Sequence, residues 1–120
     1  MKESVIQEKS MEFSIRIIKL CRYLNEEKKE YILTKQLLRC GTSIGANARE
    51  GKYEQSREDF ISKMSIALKE AAEAEYWIEL MLRTGYLTKE EHKSIEKDIS
   101  EISKILTAIV KSGKNEKASN

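Results

Sequence analysis

The carboxylates gathered near the middle of the chain are the first residues whose types and spacing could do chemistry. Glu70, Glu73 and Glu75 stand just before Tyr76 and Trp77. Inward-facing carboxylates from several helices of a bundle can hold two metal ions, but that chemistry usually draws on Glu-x-x-His pairs. The single histidine, His92, directly follows Glu91 and has no Glu three positions before it. No metal ligand is therefore assigned, and His92 reads as a surface or capping residue. Glu75 is a sharper case. Ile61, Leu68, Glu75 and Leu82 recur every seven residues, so a carboxylate occupies a hydrophobic position on a secondary helix face. It must be hydrogen-bonded, ion-paired or left at a wet edge. Pairing with an arginine, within the helix or across a subunit boundary, is the expectation.

A second set of polar residues interrupts an apolar helix face. Arg39, Ser43, Asn47 and Glu50 advance by four, four and three residues, which lines them along one side of a helix. Arg39, Arg49 and Arg57 are candidate partners for the acids, since a guanidinium can hold a carboxylate bidentately. Arg39, Ser43, Asn47, Glu50, Glu73 and Glu75 are accordingly read as a structural polar network rather than a ligand site. No Ser–His–Asp, Cys–His or phosphate-cradling motif is present. Gly41 and Gly45 are too widely spaced and too helical for a phosphate loop. No catalytic residue and no cofactor is expected.

Phosphate contacts would have to come from dispersed cations. Lys9, Arg16 and Lys19 are spaced seven and three apart, with Lys2 and Arg22 on roughly the same side. Lys52, Arg57, Lys63 and Lys69 form another set near the start of a later helix. Such surfaces bind RNA or DNA without sequence readout and in a salt-sensitive way. Lys and Arg total 22 against 20 Asp and Glu, a net charge of +2. That balance permits a basic patch without demonstrating one, and a mixed Lys/Glu surface that merely keeps a bundle soluble is the plain alternative.

The elements that must position these groups are helices. The chain has 120 residues, no proline and 40% hydrophobic residues, enough for one domain. The first helix spans about residues 4–25, with Phe13, Ile17, Leu20 and Leu24 spaced four, three and four, and Ile6, Ile18 and Cys21 widening the stripe. The charged run 26–30 marks a solvated connection. The second helix covers about residues 31–50, with Leu33, Leu37, Cys40, Ile44 and Ala48 as its apolar face. Gly41 and Gly45 cost it ~1 kcal/mol each, which implies either close helix–helix approach or a local bend. Gly51 sits where a C-terminal cap is expected. In the third helix Ser56 is the N-cap, with Asp59 completing an acidic capping box. Phe60, Met64, Ala67, Ala71, Ala74, Ile78 and Met81 then follow an unbroken four-three alternation, and Gly85 ends the helix. Thr88 caps a fourth helix that carries Ile95, Ile99, Ile102, Leu106 and Ile109.

Short links make sequential helices antiparallel, so the fold expected is an all-α, antiparallel up-down four-helix bundle over residues 1–111, with a frayed polar tail at 112–120. Cys21 and Cys40 fall in apolar patterns and read as two buried reduced thiols, a disulfide or reactive thiol being the alternative. The N-terminus lacks the continuous apolar region of a secretory signal, and no stretch reaches the ~20 apolar residues of a membrane span. The expected location is the cytoplasm, with no membrane partner. Adjacent Tyr76 and Trp77 cannot share one narrow helix face, which suggests that one covers an interface with a further copy of the chain.

Two stretches carry a resemblance: QLLRCGTSIGANAREG, residues 36–51, and SREDFISKMSIALKEAAEAEYWIELMLRTGYL, residues 56–87. They look like the four-helix-bundle proteins encoded within intervening sequences of bacterial 23S ribosomal RNA genes. The same stretches resemble the accessory variability determinant protein of diversity-generating retroelements. The match runs from the first helix to the fourth. Its most specific parts are Ser43-Ile44-Gly45-Ala46-Asn47 with Glu50-Gly51, and the segment Glu70 to Trp77. The resemblance implies a homopentameric barrel of four-helix protomers with basic positions suited to nucleic acid. In the retroelement branch that barrel serves a reverse transcriptase; in the intervening-sequence branch its role is obscure. Ser43, Asn47, Glu50, Glu73 and Glu75 correspond to fold and assembly determinants. Two functions follow as expectations: a non-catalytic nucleic-acid-binding oligomer, or an interaction scaffold with a protein partner.

Overall fold

The computed structural model describes residues 2–119, with side chains described through residue 115. Its helices are α1 (Lys2–Lys28), α2 (Leu33–Lys52), α3 (Arg57–Arg83) and α4 (Lys89–Ser119). The links between them are only a few residues long, so each helix returns alongside the one before it. Contacts run α1 to α2, α2 to α3, α3 to α4 and back from α4 to α1, with no diagonal pair among the described residues. The contact between α2 and α3 is the most extensive, and that between α1 and α4 the thinnest. The bundle measures 52 × 23 × 21 Å.

The apolar periodicity finds the core. Every residue of the four-three row on α3, Phe60 through Met81, is buried. Facing it are Ile6, Phe13, Ile17 and Leu24 of α1, Leu37 and Ile44 of α2, and Ile95, Ile99, Ile102 and Leu106 of α4. Full burial of a large aliphatic side chain contributes about 1.5–3 kcal/mol, so this row dominates the stability. Ala67, Ala71 and Ala74 keep the middle of α3 thin, and neighbouring helices close on it. Buried polar groups are few and bonded. Ser10 Oγ donates to Gln7 O at 3.2 Å, and Thr34 Oγ1 to Asn25 Oδ1 at 2.8 Å.

Helix ends follow their local chemistry. Ser56 Oγ accepts the Asp59 N–H at 3.0 Å. Thr88 and Glu91 form a reciprocal capping box: the Glu91 N–H donates to Thr88 Oγ1 at 3.1 Å and the Thr88 N–H to Glu91 Oε1 at 2.8 Å. Gly85, at φ +85°, stops α3. The Gly85 N–H reaches Leu82 O and the Tyr86 N–H reaches Met81 O, the bonding of a Schellman turn.

Three local features differ from the sequence expectation. Gly51 is not a cap: α2 continues to Lys52, and a β-carbon at 51 would stand 3.0 Å from Met64 Cε and 3.3 Å from Lys63 Cβ. It is a close-approach residue toward α3, as Gly41 and Gly45 are toward α1. The charged run 26–30 is not simply a solvated link. Helix α1 runs on through Lys28, and Glu30 turns inward to 7% exposure. Its carboxylate accepts the N–H groups of Ile32, Leu33 and Thr34 at 3.2, 2.9 and 2.9 Å. It thereby caps α2, whose own N-cap residue Ile32 has no side chain to do so. Finally, α4 stays helical through the polar segment after residue 111, where fraying was expected. Gly113 lets that last stretch lie directly on Ile61 of α3.

Candidate functional surfaces

The polar network expected on α2 and α3 is partly assembled. The Arg39 guanidinium bonds Glu73 and reaches Glu70 at 3.3 Å, and Trp77 Nε1–H donates to the same Glu73 oxygen at 3.0 Å. The Trp77 hydrogen bond first, and Arg39 second, hold the Glu73 carboxyl below the usual carboxylate range. One guanidinium serves two carboxylates here, so the cluster keeps a residual negative charge. The other expected members lie elsewhere. Ser43 donates to Arg39 O and Asn47 to Ser43 O, both within α2. Glu50 pairs with Lys63 at 3.1 Å. Glu75 accepts from Ser103 Oγ of α4 at 2.8 Å, a hydroxyl where an arginine was expected.

Most of the candidate phosphate-binding cations are engaged with the chain's own acids. Lys9 pairs with Glu101 at 3.1 Å, and Arg16 with Asp98 while also donating to Ser94 O at 3.2 Å. These contacts bridge α1 and α4, the adjacent helices with the thinnest contact. Arg57 pairs with Glu3 at 3.1 Å and lays its guanidinium 4.7 Å from the centroid of the Phe60 ring. This closes one side of an open cavity of about 520 Å³ that also includes Gln7, Lys52 and Gln55. Among the described residues, Lys19 and Arg22 make no ion pair, and Lys52 rests 5.8 Å from the centroid of Tyr53. The cations foreseen as two sets are thus divided between internal pairs and a few positions outside them among the described residues.

Among the described residues, no group of three or more His, Cys, Asp or Glu side chains is placed to hold a metal ion. Cys21 and Cys40 are both buried and free. Burial first, and then the nearby carboxylates Glu30 and Glu73 respectively, push their thiols up to about 11 and about 12. They are unreactive core residues.

Sequence periodicity missed an apolar surface. Ile18, assigned to the first helix's core stripe, is 41% exposed, and with Met11 and Ile15 it forms an aliphatic row on the outside of α1. Leu38 of α2 is also exposed, three residues before Gly41, which packs on Ile17 of α1. A three-four spacing marks both inner and outer rows of α1, so spacing alone could not distinguish them. On α3, Tyr76 is 60% exposed and stacks edge-on against half-buried Trp77, ring centroids 5.1 Å apart. Ile66, exposed on the same helix, adds a second apolar feature.

Fold and surface together define a small, all-α four-helix protein. The family model described as "23S rRNA-intervening sequence protein" matches residues 2–108, and the chain belongs to that family. It is also similar to a crystal structure of a protein of unknown function from the S23 ribosomal protein family of Bacteroides thetaiotaomicron. The two share 54% identity over 92% of this chain and 99% of the other, with a TM-score of 0.91. No curated protein matches the chain. No helix among the described residues is long and apolar enough to cross a membrane.

Proposed function

We propose that this chain is a non-catalytic subunit of a homo-oligomer, in the five-membered form that its resemblance implies, acting as a scaffold. The exposed aliphatic row of Met11, Ile15 and Ile18 on α1, together with exposed Leu38 on α2, carries this reading. Contiguous apolar surface of this kind marks an association site more often than an isolated exposed residue does. The α3 feature of Ile66, Tyr76 and Trp77 differs from it in composition and lies on another helix. Two unlike faces on one protomer favour head-to-tail contact, which closes into a ring, over a self-complementary dimer.

Native mass spectrometry and light scattering test this. Five copies of 13.9 kDa would give a particle of about 70 kDa. The Ile15→Glu, Ile18→Glu double variant is expected to be a monomer with unchanged helical circular dichroism. A wild-type chain that stays monomeric at about 100 μM would sink the reading.

Nucleic-acid binding by the assembled protein is the second reading. It is supported by Lys19 and Arg22, which stand outside the intrachain ion pairs. An accessory role beside a reverse transcriptase, as in the retroelement branch, would be one form of it.

A further inference from the structure

From Lys97 to Asn115 the acids and bases of α4 are sorted onto different sides of the helix. Between Lys97 and Asn115 its only acids are Asp98 and Glu101, and both turn toward α1, where Arg16 and Lys9 neutralise them. The lysines go the other way. Lys93, Lys97, Lys104 and Lys111 are spaced four, seven and seven residues apart, so they share one face, and all four are exposed. None of them makes an ion pair among the described residues. Two α1 cations therefore offset Asp98 and Glu101 from one side, so the outer side is positive from Lys97 to Lys111; nearer the start of the helix the exposed Glu90, seven residues before Lys97, shares the lysine face.

What lies between the lysines also matters. Ser100, Ser103, Thr107 and Ala108 join Lys104 and Lys111 around a shallow depression of about 410 Å³. These are small or hydroxyl-bearing residues, able to accept a close approach and to donate to phosphate oxygens. Ser103 is committed to Glu75; Ser100 and Thr107 have no side-chain hydrogen bond among the described residues. Glu75, which Ser103 reaches, is thus the acid of α3 that borders the depression, while Glu79, one turn further along α3, is paired with Arg83 at 2.8 Å. Glu96, half-buried, borders the row.

We propose that this outer face of α4, with Lys93, Lys97, Lys104 and Lys111 in one row, docks the phosphate backbone of a nucleic-acid duplex. The row is rigid and straight and spans about 27 Å at 1.5 Å per residue. That suits a regular ridge of phosphates better than a coiling single strand. Helix α4 also has no Phe, Tyr or Trp, the side chains on which unpaired bases stack. The lack of large apolar residues between its lysines likewise disfavours a membrane surface, where an interfacial helix inserts such residues. Contacts of this kind carry no sequence readout. The proposal shares its ligand class with the second reading above but uses a different face and does not require assembly.

The test is fluorescence anisotropy of a labelled RNA duplex of arbitrary sequence, titrated with the full chain at low and near-physiological salt. The Lys97→Glu, Lys104→Glu, Lys111→Glu variant is expected to bind at least ~10-fold more weakly, with a salt slope shallower by about 2–3, since each phosphate contact contributes about 0.9. Its helical circular dichroism should match wild type; the milder Lys→Gln triple variant, which removes charge without reversing it, should weaken binding in the same direction. Lys35→Glu, on α2, which makes no contact with α4, should bind within about twofold of wild type. If instead binding survives the α4 variants and is lost with Lys19→Glu, Arg22→Glu, this inference is overturned and the second reading stands. No binding by wild type at about 10 μM protein and low salt would overturn both. Lysine-dependent binding to phosphatidylserine vesicles, without duplex binding, would overturn it in favour of a membrane surface.

Discussion

A β-carbon placed on Gly41 would stand 3.1 Å from both γ-carbons of Ile17, so the backbone of α2 and the core side chain of α1 are in direct contact. The glycine therefore has a packing reason that offsets its low helix propensity. Ile17 is fully buried and β-branched, which limits how far it can give way. Gly41→Ala gains up to ~1 kcal/mol of propensity and loses a comparable amount to crowding. Its net effect on the urea midpoint should be small. Gly41→Leu has no such balance and should destabilise by about 1–3 kcal/mol. A Leu variant as stable as wild type would mean that the two helices are not this close.

Glu30 makes stability depend on acid. Burial alone would push its carboxyl up, but the N–H groups of Leu33, Thr34 and Ile32 outweigh that and hold it below its ordinary value of 4.5. A carboxylate lowered in the folded state stabilises the fold above the unfolded value, and that contribution disappears as pH falls through the lower folded value. Glu30→Gln should lower stability near neutral pH by about 1 kcal/mol, because the charged acceptor of three donors is lost. The gap between variant and wild type in thermal midpoint should then narrow between about pH 5 and pH 3. A gap that stays constant over that range would exclude the capping role.

How much of this was legible beforehand depends on whether the cause lies within one helix. The inward row of α3 and the caps at Ser56 and Thr88 are set by neighbours three or four positions away, and both were readable. Glu30 was not. Its sequence neighbours are charged, and only the left-handed turn at Lys29, φ 56°, brings the carboxylate over the start of α2. Ile18 failed differently, since inner and outer apolar rows of α1 share the same spacing and only α2 and α4 decide which is covered. The candidate cations show the same limit. Lys9 and Arg16 are free in sequence and meet Glu101 and Asp98 only when α4 folds back beside α1. The lysine row on α4 shows in the spacing, but its isolation from the acids depends on that same docking.

The two thiols should be silent in the native protein. With Cys21 and Cys40 pushed up to about 11 and about 12, almost no thiolate exists at pH 8. Both are also out of solvent, at 3% and 0% exposure. A colourimetric thiol reagent should modify them at least ~100-fold faster in denaturing urea than in buffer, because reaction needs both opening and ionisation. Rapid native labelling of either cysteine would contradict its placement in the core.

Trp77 is the sole tryptophan, so its emission reports the state of Glu73. The carboxylate accepts the indole N–H and the Arg39 guanidinium together. With these two donors holding its carboxyl below the ordinary value, Glu73 stays charged as pH falls past 4.5 and then takes up a proton. Protonation removes the charge that both donors address. The stabilisation is therefore complete above the unfolded value and lost as pH drops through the folded one. Wild-type fluorescence should show a transition with its midpoint below 4.5, and Glu73→Gln should abolish it while other carboxylates titrate unchanged. Trp77→Phe removes the first of the two causes and should cost about 1 kcal/mol. Carbon-13 chemical shifts of the Glu73 carboxyl should then place its midpoint closer to 4.5 than in wild type. An unmoved midpoint in that variant would assign the shift to Arg39 alone and leave the indole N–H without a role in setting it.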